Sequence, residues 1–395
     1  MYLDLHILQQ FAPSNLNRDD TGFPKNCLFG GVRRGRVSSQ CWKRAIRTNF
    51  ATSELLDSEH LGIRTKRLVE NVVERLLPLI PTDQDPTPDK DKATKVVTAL
   101  LSSQHLSVNT ETQKTESLLF LSPDEMERIV TICTDHWGDI LKKIPKENKP
   151  QKKSGKTFSF GKDITDELET LWNGDRAVDL ALFGRMIADL PKQNVDASCH
   201  VAHAISTHKM SMEFDYFTAI DDLKPDDEPG ADMIGSIGFN SACYYRYLTL
   251  NLNTLTANLS GDLELRNNAV KALLKSAILA IPTGKQSSTA AYNPPALVFA
   301  TLHSFQPLSL ANAFADPIRP SNTDGILPRS AHALLTTWEH YTRTLAFKPD
   351  TSALLPLDPH ILDSITKSDC NLPPRTETLP VFLDEITNQI AGNPA

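Results

Sequence analysis

The sequence predicts an α+β protein in which a long helical segment interrupts a core sheet. Four segments have the apolar pattern of strands, namely residues 2–10, 198–206, 241–250 and 296–302. Two further segments, beginning near residues 38 and 270, have apolar residues at helical spacing. The resulting order of strand, helix, strand, strand, helix, strand is that of a ferredoxin-like fold, with residues 51–190 inserted after the first helix.

The first strand and the loop after it begin the predicted core. Alternation of Leu3, Leu5 and Ile7 with Asp4, His6 and Leu8 predicts a strand with one buried face. Residues 12–20 then have the composition of a turn-rich loop. In that loop Arg18 is a candidate phosphate ligand, and pairing of Arg18 with the neighbouring aspartates is an equally good interpretation.

A basic segment, residues 25–47, is the strongest functional signal in the chain. It holds seven basic residues and no acid. Its glycines predict a turn, and Ser38 or Ser39 is predicted to cap an amphipathic helix. The core-facing positions of that helix are predicted to be Trp42, Ala45, Ile46 and Phe50. Unpaired amides at a helix start and dense positive charge together favour phosphate binding. The predicted ligands are Lys25, Arg33, Arg34, Arg36, Ser38, Gln40, Lys43, Arg44 and Arg47.

The distribution of charge supports a polyanionic partner. The whole chain has a net charge of -7, but residues 1–50 carry eight basic and three acidic side chains. The rest of the chain is therefore strongly acidic, and the positive charge is local. Such asymmetry is a better indication of nucleic-acid binding than the overall charge.

The inserted segment reads as helical. Apolar residues at helical spacing, with prolines after them, predict a helix that contains Leu68, Val72, Val73, Leu76 and Leu77. Ser122, followed by Pro123 and two acids, predicts a second helix start. Residues 142–162 contain eight lysines and one acid, which predicts a mobile, solvated loop. A secondary, non-specific nucleic-acid contact is the minority interpretation of that loop.

Cysteine spacing and the N-terminus bear on the cellular compartment. The six cysteines are scattered and form no CxxC pair, which predicts reduced thiols in a cytoplasmic protein. The N-terminus has neither the basic nor the apolar region of a secretory leader. No apolar run approaches the length of a membrane span, so no membrane partner is expected.

Residues 209–239, between two predicted strands, predict a long hairpin arm. Four apolar residues have polar neighbours and fit either a buried core or wedges against unstacked bases, namely Met186, Tyr216, Phe217 and Ile234. Arg185, next to Met186, belongs to the same predicted RNA-binding surface. Residues 282–286 are a weak phosphate-cradle candidate in which Lys285 would be the ligand.

Two sets of titratable residues are weaker candidates. The histidines His6, His200, His203 and His208 have no carboxylate partner at ligand spacing, which favours core or strand-surface histidines over a metal site. Asp221 and Asp222 begin an acidic stretch, residues 221–232. A solvated loop is the better interpretation of that stretch, although an isolated aspartate on an arm is compatible with ribonuclease chemistry.

Several stretches, in order along the chain, carry a family resemblance. They are APSNLNRDD at 12–20, FGGVRRGRVSSQ at 29–40, KRA at 43–45, DLALFGRM at 179–186, VAHAI at 201–205, FTAIDD at 217–222 and PLSLANAF at 307–314. With them the sequence resembles the backbone subunit of CRISPR Cascade complexes, the type I-E CasC family within the Cas-seven superfamily.

The resemblance implies an RRM-like palm, an inserted helical fingers domain and a β-hairpin thumb. The implied boundaries are 1–50 for the first part of the palm, 51–190 for the fingers, 191–208 for a palm strand, 209–239 for the thumb and 240–395 for the rest of the palm with a C-terminal helix. It also implies a non-catalytic subunit without cofactor or metal. RNA-binding aromatic residues of an RRM sheet are not recognisable, so binding through the sheet face is not expected.

The resemblance also implies roles and partners. The residues that would hold guide phosphates are Lys25, Ser38, Gln40, Lys43 and Arg47. The residues that would lie where the thumb displaces bases are Met186, Phe217, Thr218 and Ile234. The implied partners are CRISPR RNA, the target DNA strand paired to it, further copies of the chain in a helical filament, and other Cascade subunits (a guide-processing endonuclease, a 5′-end cap subunit, and the large and small subunits).

Two alternatives remain open from the sequence. One is an RNA-cleaving relative that uses Asp222 or His203. The other is a scaffold without direct RNA contact.

Overall fold

The structure is a computed structural model that describes residues 1–80, 88–144, 158–174, 176–219, 222, 233–322, 324–361 and 372–392. The lysine-rich stretch predicted at 142–162 falls mostly outside the described residues, as do Asp221 and Cys370.

The strands, in chain order, are β1 (Tyr2–Ser14), β2 (Asn26–Phe29), β3 (Val32–Val37), β4 (Ile63–Thr65), β5 (Leu119–Leu121), β6 (Cys199–Val201), β7 (Ala204–Ser206), β8 (Glu213–Ala219), β9 (Met233–Asn251), β10 (Leu297–His303) and β11 (Thr351–Pro356). The helices are α1 (Ser39–Thr52), α2 (Leu68–Leu76), α3 (Lys90–Ser103), α4 (Pro123–Asp135), α5 (Trp137–Lys143), α6 (Lys162–Glu169), α7 (Val178–Phe183), α8 (Leu252–Asn258), α9 (Leu263–Leu279), α10 (Gln286–Thr289), α11 (Ile326–Thr344) and α12 (Leu379–Gly392).

The chain folds into two compact units. The palm unit comprises Met1–Leu55, Cys199–Asn253 and Asn267–Ala395, and the helical unit comprises Leu56–Ser198 and Thr254–Arg266. The predicted boundaries differ from these units at three places: residues 51–55 belong to the palm unit, and residues 191–198 and 254–266 belong to the helical unit. Within the helical unit the side-chain amide of Asn258, in α8, donates to the carbonyls of Ala181 and Asp196.

Among the described residues, nine strands form the palm sheet, in the path β11-β10-β1-β9-β7-β3-β2 with β6 and β8 also paired to β9. The central part, β10-β1-β9-β7, is antiparallel and has the strand order of a ferredoxin-like sheet. The α+β prediction and its element order are therefore confirmed. The predicted strand at 198–206 differs in detail, because it is split into the short strands β6 and β7.

Strand β1 is buried on both faces, which corrects the prediction of one buried face. Leu3, Leu5 and Ile7 are buried as predicted, but Asp4 and His6 on the other face are also fully buried. On that second face lies a cluster of buried residues that includes Leu8, Phe299, Leu310, Phe314, Leu334 and Trp338, the last two from α11. The sheet face that stacks RNA in RRM proteins is thus covered by this protein's own chain.

Polar groups on the covered face are paired with one another. The carboxylate of Asp4 accepts from the Tyr247 hydroxyl at 3.0 Å and the Leu308 amide at 2.8 Å, and lies 3.1 Å from His303 Nε2. Burial alone would raise the pKa of Asp4, but hydrogen bonds with His303, Thr249 and the Leu308 amide, together with the nearby His6, hold that pKa below its usual value. His6 lies 2.9 Å from the Tyr245 hydroxyl, and burial lowers the pKa of its imidazole to about 4.

We expect acid to destabilise the palm through His6. The unfolded pKa is 6.5 and the folded pKa is about 4, so the stability due to neutral His6 is complete above pH 6.5 and is lost as pH falls toward 4. The expected loss is about 3 kcal/mol in the free energy of unfolding. Urea unfolding between pH 7 and 4 measures it. His6→Gln, which does not titrate, should flatten this part of the profile, and an unchanged profile would contradict the assignment.

The helical unit has a core of its own. Helix α2 confirms the predicted apolar stripe, with Leu68, Val72, Val73 and Leu76 buried. Helix α4 begins at the predicted position, where Ser122 and Glu125 form a reciprocal capping box. Strands β4 and β5 pair with each other in a separate two-stranded sheet. Within the described residues, no helix is long and apolar enough to span a bilayer.

Candidate nucleic-acid interface

The basic segment begins with a two-strand hairpin, where the sequence analysis predicted only a turn. Strands β2 and β3 pair from Asn26 with Gly35 to Phe29 with Val32, which leaves Gly30 and Gly31 as the two-residue turn. Both glycines have positive φ, +58° and +76°, as such turns require. A side chain at Gly30 would also lie 1.6 Å from the carbonyl oxygen of Ala315. The hairpin tip is therefore packed tightly onto the palm.

Arg34 is a structural residue, which corrects its assignment as a phosphate ligand. Its side chain is fully buried. Its guanidinium donates to five backbone carbonyls, those of Phe29, Ser206, Thr207, Phe314 and Ala315, at 2.8–3.2 Å. Burial lowers its pKa, but the group stays cationic at neutral pH. The guanidinium joins the hairpin to two distant segments of the palm, and no donor faces solvent for a phosphate.

Helix α1 starts as predicted, with Ser38 as its N-cap. The Ser38 hydroxyl accepts from the Cys41 amide at 3.3 Å, and the Ser38 amide donates to Asn17 Oδ1 at 2.9 Å. The next amide, that of Ser39, donates to His203 Nδ1 at 3.1 Å. His203 is exposed, and its ring thus lies beside the helix start.

The buried face of α1 also follows the prediction. Trp42, Ile46 and Phe50 are buried, whereas Ala45 is half-buried. The guanidinium of Arg246 lies 3.5 Å from the ring centroid of Trp42. This stacking explains why an indole fits there.

Six cations of the basic segment are not buried: Arg33 and Arg44 are exposed, and Lys25, Arg36, Lys43 and Arg47 are half-buried. Electrostatic effects show that several converge at the start of α1. Burial lowers the pKa of His203, and the nearby charges of Arg36 and Lys25 lower it further. Burial raises the pKa of the Cys41 thiol, and the charges of Lys25 and Arg44 oppose that shift. The start of α1, with the exposed Gln40 beside it, is therefore strongly electropositive.

Arg18 and Lys285 extend this surface on one side. The Asp19 carboxylate accepts from the amides of Thr21 and Phe23 and from the Thr21 hydroxyl, and among the described residues it forms no ion pair with Arg18. A groove of about 800 Å³ brings exposed Arg18 together with Arg44, with residues 280–284 and with the acids Asp19 and Asp20. The half-buried Lys285 directly follows this lining.

The predicted arm is present and its described residues are highly exposed. Residues 213–219 of β8 pair with 239–233 of β9. Thr218 is directly opposite Ile234, so both lie on one face, whereas Phe217 lies on the other face over Gly235. Large apolar side chains of the arm that are more than half exposed are Phe214, Tyr216, Met233 and Ile234. Exposed apolar surface of this extent indicates a binding surface.

In the helical unit, Met186 is exposed and Arg185 is not. Met186 is 83% exposed, between Arg185 at 5% and Ile187 at 2%. Arg185 forms a buried ion pair with Glu125 at 2.8 Å and donates to the carbonyls of Phe120, Trp172 and Gln193. This corrects the assignment of Arg185 as an RNA ligand. It anchors the loop that presents Met186.

The candidate acid–base groups are not arranged as a catalytic pair. His203 Nδ1 accepts from a backbone amide, and the charges that act on the ring are cations. Asp222 is exposed in a turn. In the part of the chain that the structure describes, no group of three or more His, Cys, Asp or Glu side chains could hold a metal.

Two site residues escaped the sequence analysis. Asn17 fixes the capped end of α1 through Ser38, and its carbonyl accepts from the Lys25 amide at 2.9 Å. Phe23 packs edge-on against Phe214 of the arm, with ring centroids 5.6 Å apart. The composition of the 12–24 loop could not predict either contact. The partners, Ser38 and Phe214, lie outside this loop and reach it only in the folded protein.

The chain is similar to known proteins over almost its whole length. A family model described as CT1975-like protein matches residues 3–377. A solved chain described as "CRISPR RNA-guided surveillance complex, pre-nicking" is 28% identical, with a TM-score of 0.80 over 98% of this chain and 100% of that one. A second, described as "CRISPR RNA-guided surveillance complex", is 24% identical with a TM-score of 0.71 over the same shares, and supports the fold alone. No curated protein matches significantly.

Proposed function

Because this chain belongs to the CT1975-like family, we propose that it is a backbone subunit of a CRISPR RNA-guided surveillance complex of type I-E. In this proposal it binds the phosphates of CRISPR RNA and polymerises along it as a helical filament in the cytoplasm. Other Cascade subunits would complete the complex and its antiviral role.

The observation that carries the proposal is the convergence of cations at the start of α1. Lys25, Arg36 and Arg44 act electrostatically on groups there, and Lys43 and Arg47 follow along the same helix. The helix start itself adds positive potential, although the Ser39 amide is already paired with His203. A surface of this kind recognises a phosphate backbone without reading its sequence.

Met186 and three side chains of the arm supply the second part of the proposal. Met186, and Thr218 and Ile234 on one face of the arm, would displace guide bases at intervals, with Phe217 acting from the opposite face. The guide would then be presented for pairing with target DNA in short tracts, and base pairing would read the sequence.

We propose that the subunit is not a nuclease. Acid–base catalysis by His203 would need a pKa near neutrality, but burial and the nearby charges of Arg36 and Lys25 lower the pKa of its ring. Asp222 is exposed on the arm, which supports a solvated carboxylate.

The direct test is purification of the full chain together with its guide and partner subunits. RNA of defined length in a large particle, seen by absorbance and size-exclusion chromatography, is the expected result, and ribonuclease should dissociate the particle. A particle that forms equally well after nuclease treatment would support a scaffold without RNA contact. Shortening of the bound RNA, lost in Asp222→Ala or His203→Ala, would instead support a nuclease.

A further inference from the structure

We propose that Phe23 and Asn15 form a brace that fixes the arm relative to the phosphate-binding end of α1. The effect of the brace on base displacement rests on the proposed function, whereas the brace itself is a property of the protein without RNA. Phe23 and Asn15 would then be positioning residues, acting through the arm and not by touching RNA.

The arm has little support of its own. It is a two-stranded hairpin, and every described side chain from Glu213 to Tyr216 is exposed. An isolated two-stranded hairpin is marginally stable in water. Its placement must therefore depend on contacts at its root, where β9 enters the palm sheet.

The root contacts come from the loop that precedes β2. A side chain at Gly238 would lie 2.4 Å from Phe23 Cδ1, so the phenyl ring occupies the space that this glycine leaves. Gly238 is paired with Phe214, and the same phenyl ring packs edge-on against Phe214. Fully buried Asn15 adds a polar contact, because its Nδ2 donates to the carbonyls of Gly238 at 3.0 Å and of Gly22 at 2.9 Å.

The loop that carries the brace also carries two candidate phosphate ligands, Arg18 and Lys25. Two hydrogen bonds join Phe23 to Asp19. The Asp19 amide donates to the Phe23 carbonyl at 2.8 Å, and the Phe23 amide donates to the Asp19 carboxylate at 3.0 Å. Two residues after Phe23, the Lys25 amide donates to the Asn17 carbonyl. Asn17 in turn accepts from the Ser38 amide at the N-cap of α1.

A continuous path of short contacts thus joins the N-cap of α1 to the root of the arm. The path runs from Ser38 through Asn17 and the 18–24 loop to Phe23 and then Gly238. All of it lies within the palm unit. Because this loop is closed by its own hydrogen bonds, it fixes the spacing between the bound phosphate and the base that the arm displaces.

Amide hydrogen exchange of the free full-length protein tests the brace without RNA. Phe23→Ala should speed exchange in residues 213–219 and 233–239 about fivefold or more, and leave β1 and β10 unchanged. Phe23→Tyr, which keeps the ring, should restore slow exchange. Leu28→Ala, a 75% exposed residue on β2, is the control for the loss of an apolar side chain. Wild-type exchange of the arm in Phe23→Ala would overturn the brace.

Fluorescence of polyuridine RNA that contains 2-aminopurine tests the consequence. At saturating protein, where affinity no longer matters, the wild type should raise the fluorescence through base unstacking. Phe23→Ala should give less than half of that rise, as Ile234→Ala should, while Phe23→Tyr and Leu28→Ala keep it. A full rise in Phe23→Ala would overturn the positioning role. Absence of RNA binding by the wild type would overturn the proposed function instead. The exchange experiment would still decide whether Phe23 holds the arm in the free protein.

Discussion

Arg34→Met should lower the free energy of unfolding by about 3 kcal/mol or more, whereas Arg33→Met should change it by about 0.5 kcal/mol or less. The two arginines are adjacent in β3, but one is buried and the other exposed. Loss of the Arg34 guanidinium removes a donor from five backbone carbonyls, of which that of Thr207 keeps the Ile318 amide. A buried acceptor that is left without any partner costs about 1–3 kcal/mol before relaxation.

The pair of variants separates stability from binding. Urea denaturation of the full chain gives the stability, and RNA titration at a temperature where all variants are folded gives the affinity. Arg33→Met should weaken RNA binding severalfold with little change in stability. Equal loss of stability in the two variants would show that Arg34 has no special structural role.

The contrast between Arg33 and Arg34 also shows what sequence patterns can and cannot predict. Both residues lie in the same basic run, and composition alone assigns them the same function. The difference arises because the carbonyls of Ser206 and Phe314, far away in the chain, converge on one of the two side chains. Contacts of this kind are set by the packed palm and leave no local periodicity.

The burial of individual polar residues could not be predicted from the sequence for the same reason. Alternation correctly predicted β1 and its apolar face, because that signal depends only on neighbours in the chain. It could not show that Asp4 and His6 are covered by the 308–314 segment, since their partners His303 and Tyr245 are distant in sequence. Arg185 is a second case, with its partner Glu125 60 residues away. By contrast, the Ser38 cap and the amphipathic face of α1 were predictable, because capping and helical spacing are local.

Lys43→Glu/Arg47→Glu is expected to weaken binding of single-stranded RNA about 100-fold or more at ~0.1 M salt. Two contacts of about 1.5 kcal/mol each are lost, and two like charges are placed against the phosphates. The dependence of log affinity on log salt should also become shallower by about 1.4, because each phosphate contact to a single strand contributes about 0.7. Both residues lie on α1, which is held to the palm by its buried face, so the fold should persist.

A matched control lies on α9. Lys271→Glu/Lys275→Glu makes the same change in net charge, at the same four-residue spacing, on another helix of the palm unit. Lys271 forms an exposed ion pair with Asp384 at 3.3 Å, and the loss of such a pair costs little. If the start of α1 is the phosphate site, only the α1 variant should bind RNA more weakly and with a shallower dependence of affinity on salt. If both variants weaken binding equally, long-range charge alone drives association, and the cations around Ser38 form no defined site.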